Sequence, residues 1–260
     1  MERDRHAVVA QFLAPGAFGL GSEVTLDADA AHHMNVIRLD FGARVGVADG
    51  AGAVGAGTLV RLGRRDALVA IDQVWTIARP PAVHMIVPVA DRDRMLWMAE
   101  KCTELGATSW RPVEWRRSAS VSPRGVGASF RDKVRARMTA ALMQSRGAWL
   151  PDQFVETSLA EALANTPSGH RILLDPAGSP LLQAIPARLD APVTIAVGPE
   201  GGVEEAERAA LADAGFVRAS LGAAILRFET AGVAALAAVR AACAVGADPG
   251  AEPGGDTTKP

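Results

Sequence analysis

The chain has 260 residues, of which 49% are hydrophobic and 22% charged, and a formal net charge of -2. That length supports one large domain or two modest ones with an ample core. No apolar stretch approaches the roughly 20 residues needed to span a bilayer, and the near-neutral balance excludes a protein that coats nucleic acid indiscriminately.

The opening MERDRHAVVAQFLAPG mixes charges of both signs and lacks a long apolar segment before a small-residue cleavage site, which predicts a cytoplasmic protein. Residues 1–78 are rich in Gly and Val, with alternating runs such as RVGVAD, GTLVRL and ALVAIDQV between turn residues. This pattern predicts short antiparallel strands in a small barrel. The segment DADAAHHMNVIRL interrupts them as a helix, with Asp27 or Asp29 placed to cap it. His32 and His33 have no third ligand at metal spacing, so no metal is expected there; His33 is expected to pack or hydrogen-bond beside Arg38. Residues 50–55, GAGAVG, are a literal GxGxxG with Asp72 downstream. A dinucleotide fingerprint must open a helix, whereas here Gly57 and the β-prone TLV follow, so a hairpin is expected.

ARPPA, residues 78–82, marks a boundary, because consecutive prolines disfavour both helix and central strand. Beyond it, in 79–246, strands alternate with longer helices. VHMIVPV reads as a strand, and RDRMLWMAEKCTEL places Met95, Met98, Cys102 and Leu105 at helical spacing. Lys101 and Glu104 form an i,i+3 surface pair or face a second subunit. The tryptophans Trp97, Trp110, Trp115 and Trp149 are expected in the core or an interface. Between Arg111 and Arg137 eight basic side chains stand against two acidic ones, an excess that favours phosphate contacts. ASFRDKVRARMTAALMQS is the next helix; RILLD, VTIAV and FVRASL follow as buried strands, with VEEAERAALADA and ETAGVAALAAVRAACAV as helices. This alternation predicts an α/β fold with a mostly parallel sheet. Cys102 and Cys243 lie far apart in helix-like sequence and read as buried thiols. Residues 247–260, ADPGAEPGGDTTKP, lie beyond the last predicted helix and read as a disordered tail.

Two segments carry the chemistry. AVGPEGG, residues 196–202, ends an apolar run where ligands of α/β folds gather, and Gly198, Gly201 and Gly202 allow close backbone approach. Glu204, Glu205 and Glu207 in the following helix would repel a phosphate, which favours a ligand without one or with positive charge. S-adenosyl-L-methionine fits, with an adenosine that asks for backbone hydrogen bonds and a cationic sulfonium. LGAAILRFETA, residues 221–231, sets Arg227 and Glu229 one residue apart among apolar neighbours at a helix start. Either the two are partners that fix the turn, or they face a site.

Together these stretches resemble the RsmE family of the SPOUT superfamily, which methylates N3 of a uridine in 16S ribosomal RNA. HHMNVIRL is similar to that family's N-terminal PUA-like signature, EKCTELGATSWRPVEWRRS to its first helix and second strand, and GPEGG and LGAAILRFETA to its cofactor loops. The resemblance spans nearly the whole chain. It implies a C-terminal trefoil-knotted methyltransferase domain, an N-terminal PUA-like β-barrel for RNA, and a homodimer acting on 16S rRNA or the 30S subunit. It further implies a donor pocket formed by Leu174, Gly198, Pro199, Glu200, Gly201, Gly202, Leu221, Gly222, Ile225, Leu226, Arg227 and Thr230. Arg227 would stabilise charge on the reacting base, with Glu229 orienting it or taking the proton. RNA would be held by His33, Arg38, Arg116, Arg117, Ser118 and Arg146. The chain departs from the family pattern at Met143, Ala224 and Phe228, and Arg146 is displaced by one position. Related alternatives are a SPOUT enzyme acting on another RNA or ribose position, and an inactive ribosome-binding protein.

Overall fold

The computed structural model describes residues 8–118, 124–186 and 190–245. The 247–260 tail and the Cys243 side chain lie outside them. The first unit is a five-stranded sheet of β1 (Gln11–Leu13), β2 (Glu23–Leu26), β3 (Arg44–Ala48), β4 (Ala53–Leu62) and β5 (Ala67–Thr76), ordered β1-β3-β4-β5-β2. Three of its ladders are antiparallel, as the alternation predicts, but β1 runs parallel to β3. The sheet curls over Phe12, Leu26, Met34, Val45, Leu59 and Val69. Helix α1 (Ala28–Val36) lies among these strands, and of the two candidate caps it is Asp27 that accepts from the Ala30 N–H, at 2.9 Å.

GAGAVG forms the β3–β4 connection and the start of β4, so its glycines serve a hairpin. Gly52 has φ +107, and a Cβ there would collide with the Trp149 ring. The close approach is functional for packing: Gly52 N donates to Ala148 O at 3.0 Å and Leu150 N to Gly50 O at 2.9 Å, tying the hairpin to the second unit.

That second unit is a seven-stranded sheet of β6 (Val83–Pro88), β7 (Ser109–Glu114), β8 (Asp152–Gln153), β9 (Thr157–Ser158), β10 (His170–Pro180), β11 (Val193–Val197) and β12 (Val217–Ser220). Its path is β12-β10-β11-β6-β7-β8, with β9 also on β7, and every described ladder is parallel. All five residues of β11 are buried, as expected of a strand covered on both faces. Helices α2 (Arg92–Glu104), α3 (Ala128–Ser145) and α7 (Phe228–Val245) bury Met95, Met98, Met138 and Leu236 on one side. Helices α4 (Leu159–Ala164) and α6 (Glu205–Asp213) cover Ile86, Leu173 and Ala196 on the other; the short α5 (Leu181–Ala184) follows β10. Cys102 is fully buried, and burial pushes its thiol pKa far up. Helix α3 begins at Gly127, which has no side chain to cap it; Glu156 accepts from the Gly127 N–H at 2.7 Å and pairs with Arg131 instead. No helix among the described residues is long and apolar enough to cross a membrane.

Candidate active site

The cleft opens beyond the carboxyl ends of β10, β11 and β12, where ligands of parallel sheets collect. Its volume is about 180 Å³. The two glycine-bearing segments face each other across it: Gly198, Pro199, Glu200 and Gly202 from one, Leu221, Gly222, Ile225 and Leu226 from the other, with Leu174 at the base. Gly222 has φ +127, and a Cβ there would meet nothing within 4 Å, so its backbone stands open to a ligand. Most of the remaining lining is apolar, including Val197, Val203, Ala219 and Phe228. Exposed backbone groups among small apolar side chains suit a planar nucleoside bound by main-chain hydrogen bonds.

The structure brings most of the expected donor residues together. Gly201, Arg227 and Thr230 do not line the cleft. Gly201 turns to Arg117, whose Nη1 donates to its carbonyl at 3.0 Å. Arg227 is exposed at the end of the second segment, and its carbonyl accepts from Ala231 as α7 begins. Glu229 is 7% exposed, and its Oε2 is buried without a hydrogen-bond partner. Its neighbouring cation is Arg94, with Nε 4.0 Å from Oε1, rather than Arg227.

Glu204, Glu205 and Glu207 lead away from the cleft. Glu204 and Glu207 form the capping box of α6, and Glu207 Oε1 also accepts from the Arg116 N–H at 2.8 Å. Glu204 lies 3.6 Å from Arg117 and 3.9 Å from Arg116, and Glu205 is solvent-facing. Glu200 lines the cleft but is paired with Arg94. These carboxylates therefore do not select a cationic ligand; they shape the loop and its helix.

Two residues without a local sequence signal stand at the centre of the arrangement. Arg94, in the first turn of α2, joins Glu200 of one segment to Glu229 of the other. Asp175 lies in the break of the β10–β12 ladder between Leu174 and Ser179, and it and Pro176 line the cleft. Its Oδ1 accepts from the Ala177 N–H at 2.9 Å, and its Oδ2 from Arg218 Nε at 3.0 Å and Arg208 Nε at 3.3 Å. Burial pushes the Asp175 carboxyl up, but these donors outweigh it and hold it below the usual carboxylate range.

The proposed RNA contacts are spread out. Arg116 and Arg117 are exposed on the outer side of the GPEGG loop, while Ser118 is buried with its hydroxyl unpartnered. His33 packs edge-on against Phe12, with ring centroids 5.8 Å apart, and Arg38 is exposed with φ 55. Arg146 caps α3 in the left-handed region and donates to Val8 O at 3.0 Å, which ties the two units together. The 111–137 basic run is largely committed: Arg111 stacks 3.7 Å over Phe154, and Arg124, Arg131 and Arg137 pair with Glu114, Glu156 and Glu100. Lys133 and Arg135 remain exposed on α3. Among the described residues, no group of three or more His, Cys, Asp or Glu is placed to hold a metal ion.

The sequence model of the RNA methyltransferase domain matches residues 78–240. Ribosomal RNA small subunit methyltransferase E of Mycobacterium bovis is 29% identical over 231 residues, covering 84% of this chain and 86% of that protein. The Synechocystis protein of the same name is 29% identical over 226 residues, covering 84% of this chain and 73% of its own length. The crystal structure of ribosomal RNA small subunit methyltransferase E from Neisseria gonorrhoeae, bound to S-adenosyl methionine, superposes with a TM-score of 0.82 at 28% identity, covering 90% of this chain and 98% of that one.

Proposed function

The chain belongs to the RNA methyltransferase domain family, and from that premise we propose that it transfers a methyl group from S-adenosyl-L-methionine to N3 of a uridine in 16S rRNA within the 30S subunit. The observation that carries the reading is the cleft itself, in which GPEGG and LGAAIL meet beyond three parallel strand ends. Relatives named for rRNA methylation, one of them bound to the same donor, support it.

When bound, the donor supplies an electrophilic methyl group on a sulfonium. The backbone of Gly198, Pro199, Glu200 and Gly202 and of Leu221, Gly222, Ala224, Ile225 and Leu226 would hold its adenosine, and the apolar walls would exclude water. The target nitrogen would pass its proton to solvent as it takes up the methyl group, and holding the base in place would contribute much of the rate, roughly 7–11 kcal/mol for well-placed reactants. Arg227, exposed at the rim, reaches the carbonyl oxygens on which charge develops as the imide deprotonates. Glu229 is buried and serves to fix the start of α7 through Arg94. His33, Arg38, Arg116, Arg117 and Arg146 hold the RNA, whose target base must be unpaired to be reached.

The same reading includes a PUA-like first unit, a trefoil-knotted second unit, cytoplasmic residence and a homodimer. Leu182 at 76% exposure on α5 and Val217 at 51% on β12 are apolar side chains that a second copy would cover. Methylation with labelled donor of stripped 16S rRNA, 30S particles and tRNA, followed by mapping of the modified nucleotide, tests the proposal. A methyl on uridine N3, strongest with 30S particles, is expected. Label on tRNA or on a ribose would assign another substrate, and no donor binding by calorimetry would leave a ribosome-binding protein.

A further inference from the structure

Building on the donor assignment, we infer that Arg208 is the anchor for the α-carboxylate of the donor's amino-acid end, held in place by Asp175. Among the described residues, Arg208 is the only cationic side chain that lines the cleft. The two acidic side chains there are already matched, Glu200 by Arg94 and Asp175 by two guanidiniums.

The geometry leaves Arg208 charged and partly unsatisfied. Its Nε is spent on Asp175 Oδ2 at 3.3 Å, and Arg218 Nε shares that same oxygen at 3.0 Å. Two positive groups on one carboxylate leave a surplus of one positive charge. The Arg208 Nη1 contact, Glu205 Oε2 at 3.5 Å, is with a side chain 91% exposed to water and is worth little. The outer edge of the guanidinium is therefore available to a carboxylate, the partner its planar fork matches best. Asp175 fixes the orientation because its other oxygen is tied to the backbone N–H of Ala177. A nucleoside seated on the backbone of the glycine segments would place its amino-acid end among side chains, and among the described lining residues only Arg208 can neutralise an anion.

Calorimetry of the full chain with S-adenosylhomocysteine and with its decarboxylated analogue, which keeps the adenosine, thioether and amine, provides the test. The wild type is expected to prefer the carboxylate by about tenfold or more, the ordinary worth of a charge-assisted pair. Arg208→Gln should erase that preference while affinity for the decarboxylated analogue stays within about twofold of wild type, which also reports an intact cleft. Equal affinity of the wild type for both compounds, or a preference that survives in Arg208→Gln, would overturn the assignment and leave the donor reading standing. Binding of neither compound by the wild type would overturn the donor reading and this inference with it. Equal wild-type affinities overturn the assignment even if the variant does not fold, and Arg208→Lys, which keeps the charge without the fork, then supplies the variant comparison.

Discussion

Arg227, Asp175 and Gly52 place single side chains under different physical constraints. Arg227 is exposed at the cleft rim and outside its lining, so Arg227→Ala should lower turnover about 100-fold or more, the scale for loss of one charge-stabilising donor, while calorimetric donor affinity stays unchanged; intact turnover would remove it from the mechanism. Asp175 has a carboxyl held below its ordinary range. A lowered folded-state pKa means that its stabilising contribution is complete above the unfolded value, about 3.9, and is lost as pH falls through the folded one. Asp175→Asn should therefore flatten the acid limb of a plot of Tm against pH and cost about 1–2 kcal/mol at pH 7. Gly52 is fixed by φ +107 and by the Trp149 ring. Gly52→Ala should destabilise by about 2–3 kcal/mol in urea titration without changing donor affinity. The three glycines of GAGAVG imitate a dinucleotide motif in sequence. Gly52 is held by a ring almost 100 positions away, Gly50 stands against Leu150 and Gly55 against Phe18, contacts that no local pattern reports.

Among the elements, α2 links the two cofactor segments. The N-cap Asp91 accepts from the Asp93 and Arg94 N–H groups, and the Arg94 side chain then reaches one carboxylate on each segment. Removing the guanidinium leaves Glu229 buried with no counter-charge, while Glu200, half-exposed, turns to water. Arg94→Met should cost about 2 kcal/mol, below the value for a fully buried pair because Arg94 is itself about 31% exposed. It should also weaken donor binding. Adding Glu229→Gln should recover much of the lost stability, since the buried charge goes with it; a double variant as unstable as the sum of the singles would show that the two do not interact. The alternation of elements was legible because apolar periodicity reports burial directly, and β11, buried along its whole length, is the clearest instance. The parallel β1–β3 ladder was not legible, because alternation gives a strand's faces and not the direction of its partner.

The molecule as a whole is bound across its two units by a shared core and by backbone contacts. Ala48 and Val54 of the first sheet pack in the same cluster as Met85 and Trp110 of the second. Gln11 Nε2 donates to Gly147 O at 2.8 Å, Arg146 to Val8 O, and Trp149 Nε1 to Ile77 O at 3.0 Å. Trp149→Ala removes the ring that fills the seam. It should destabilise by about 3 kcal/mol and separate unfolding into two transitions, the first leaving donor binding intact; one unchanged cooperative transition would contradict this coupling. The sequence by itself determined the longer helices, the buried strand β11, that the sheet is mostly parallel, and that GPEGG and LGAAILRFETA are the segments to watch, because periodicity, turn chemistry and glycine placement act over a few neighbouring residues; the short elements and the half-exposed character of β12 were not legible. Only the tertiary structure decided which charges meet. It spent the glutamates on capping and on Arg94, Arg116 and Arg117, set Asp175 at the cleft in a break of the ladder, and left Arg208 as a cation facing the cleft. Electrostatic partnership depends on distance in space, and residues 94, 175, 200, 208 and 229 become neighbours only when the chain has folded.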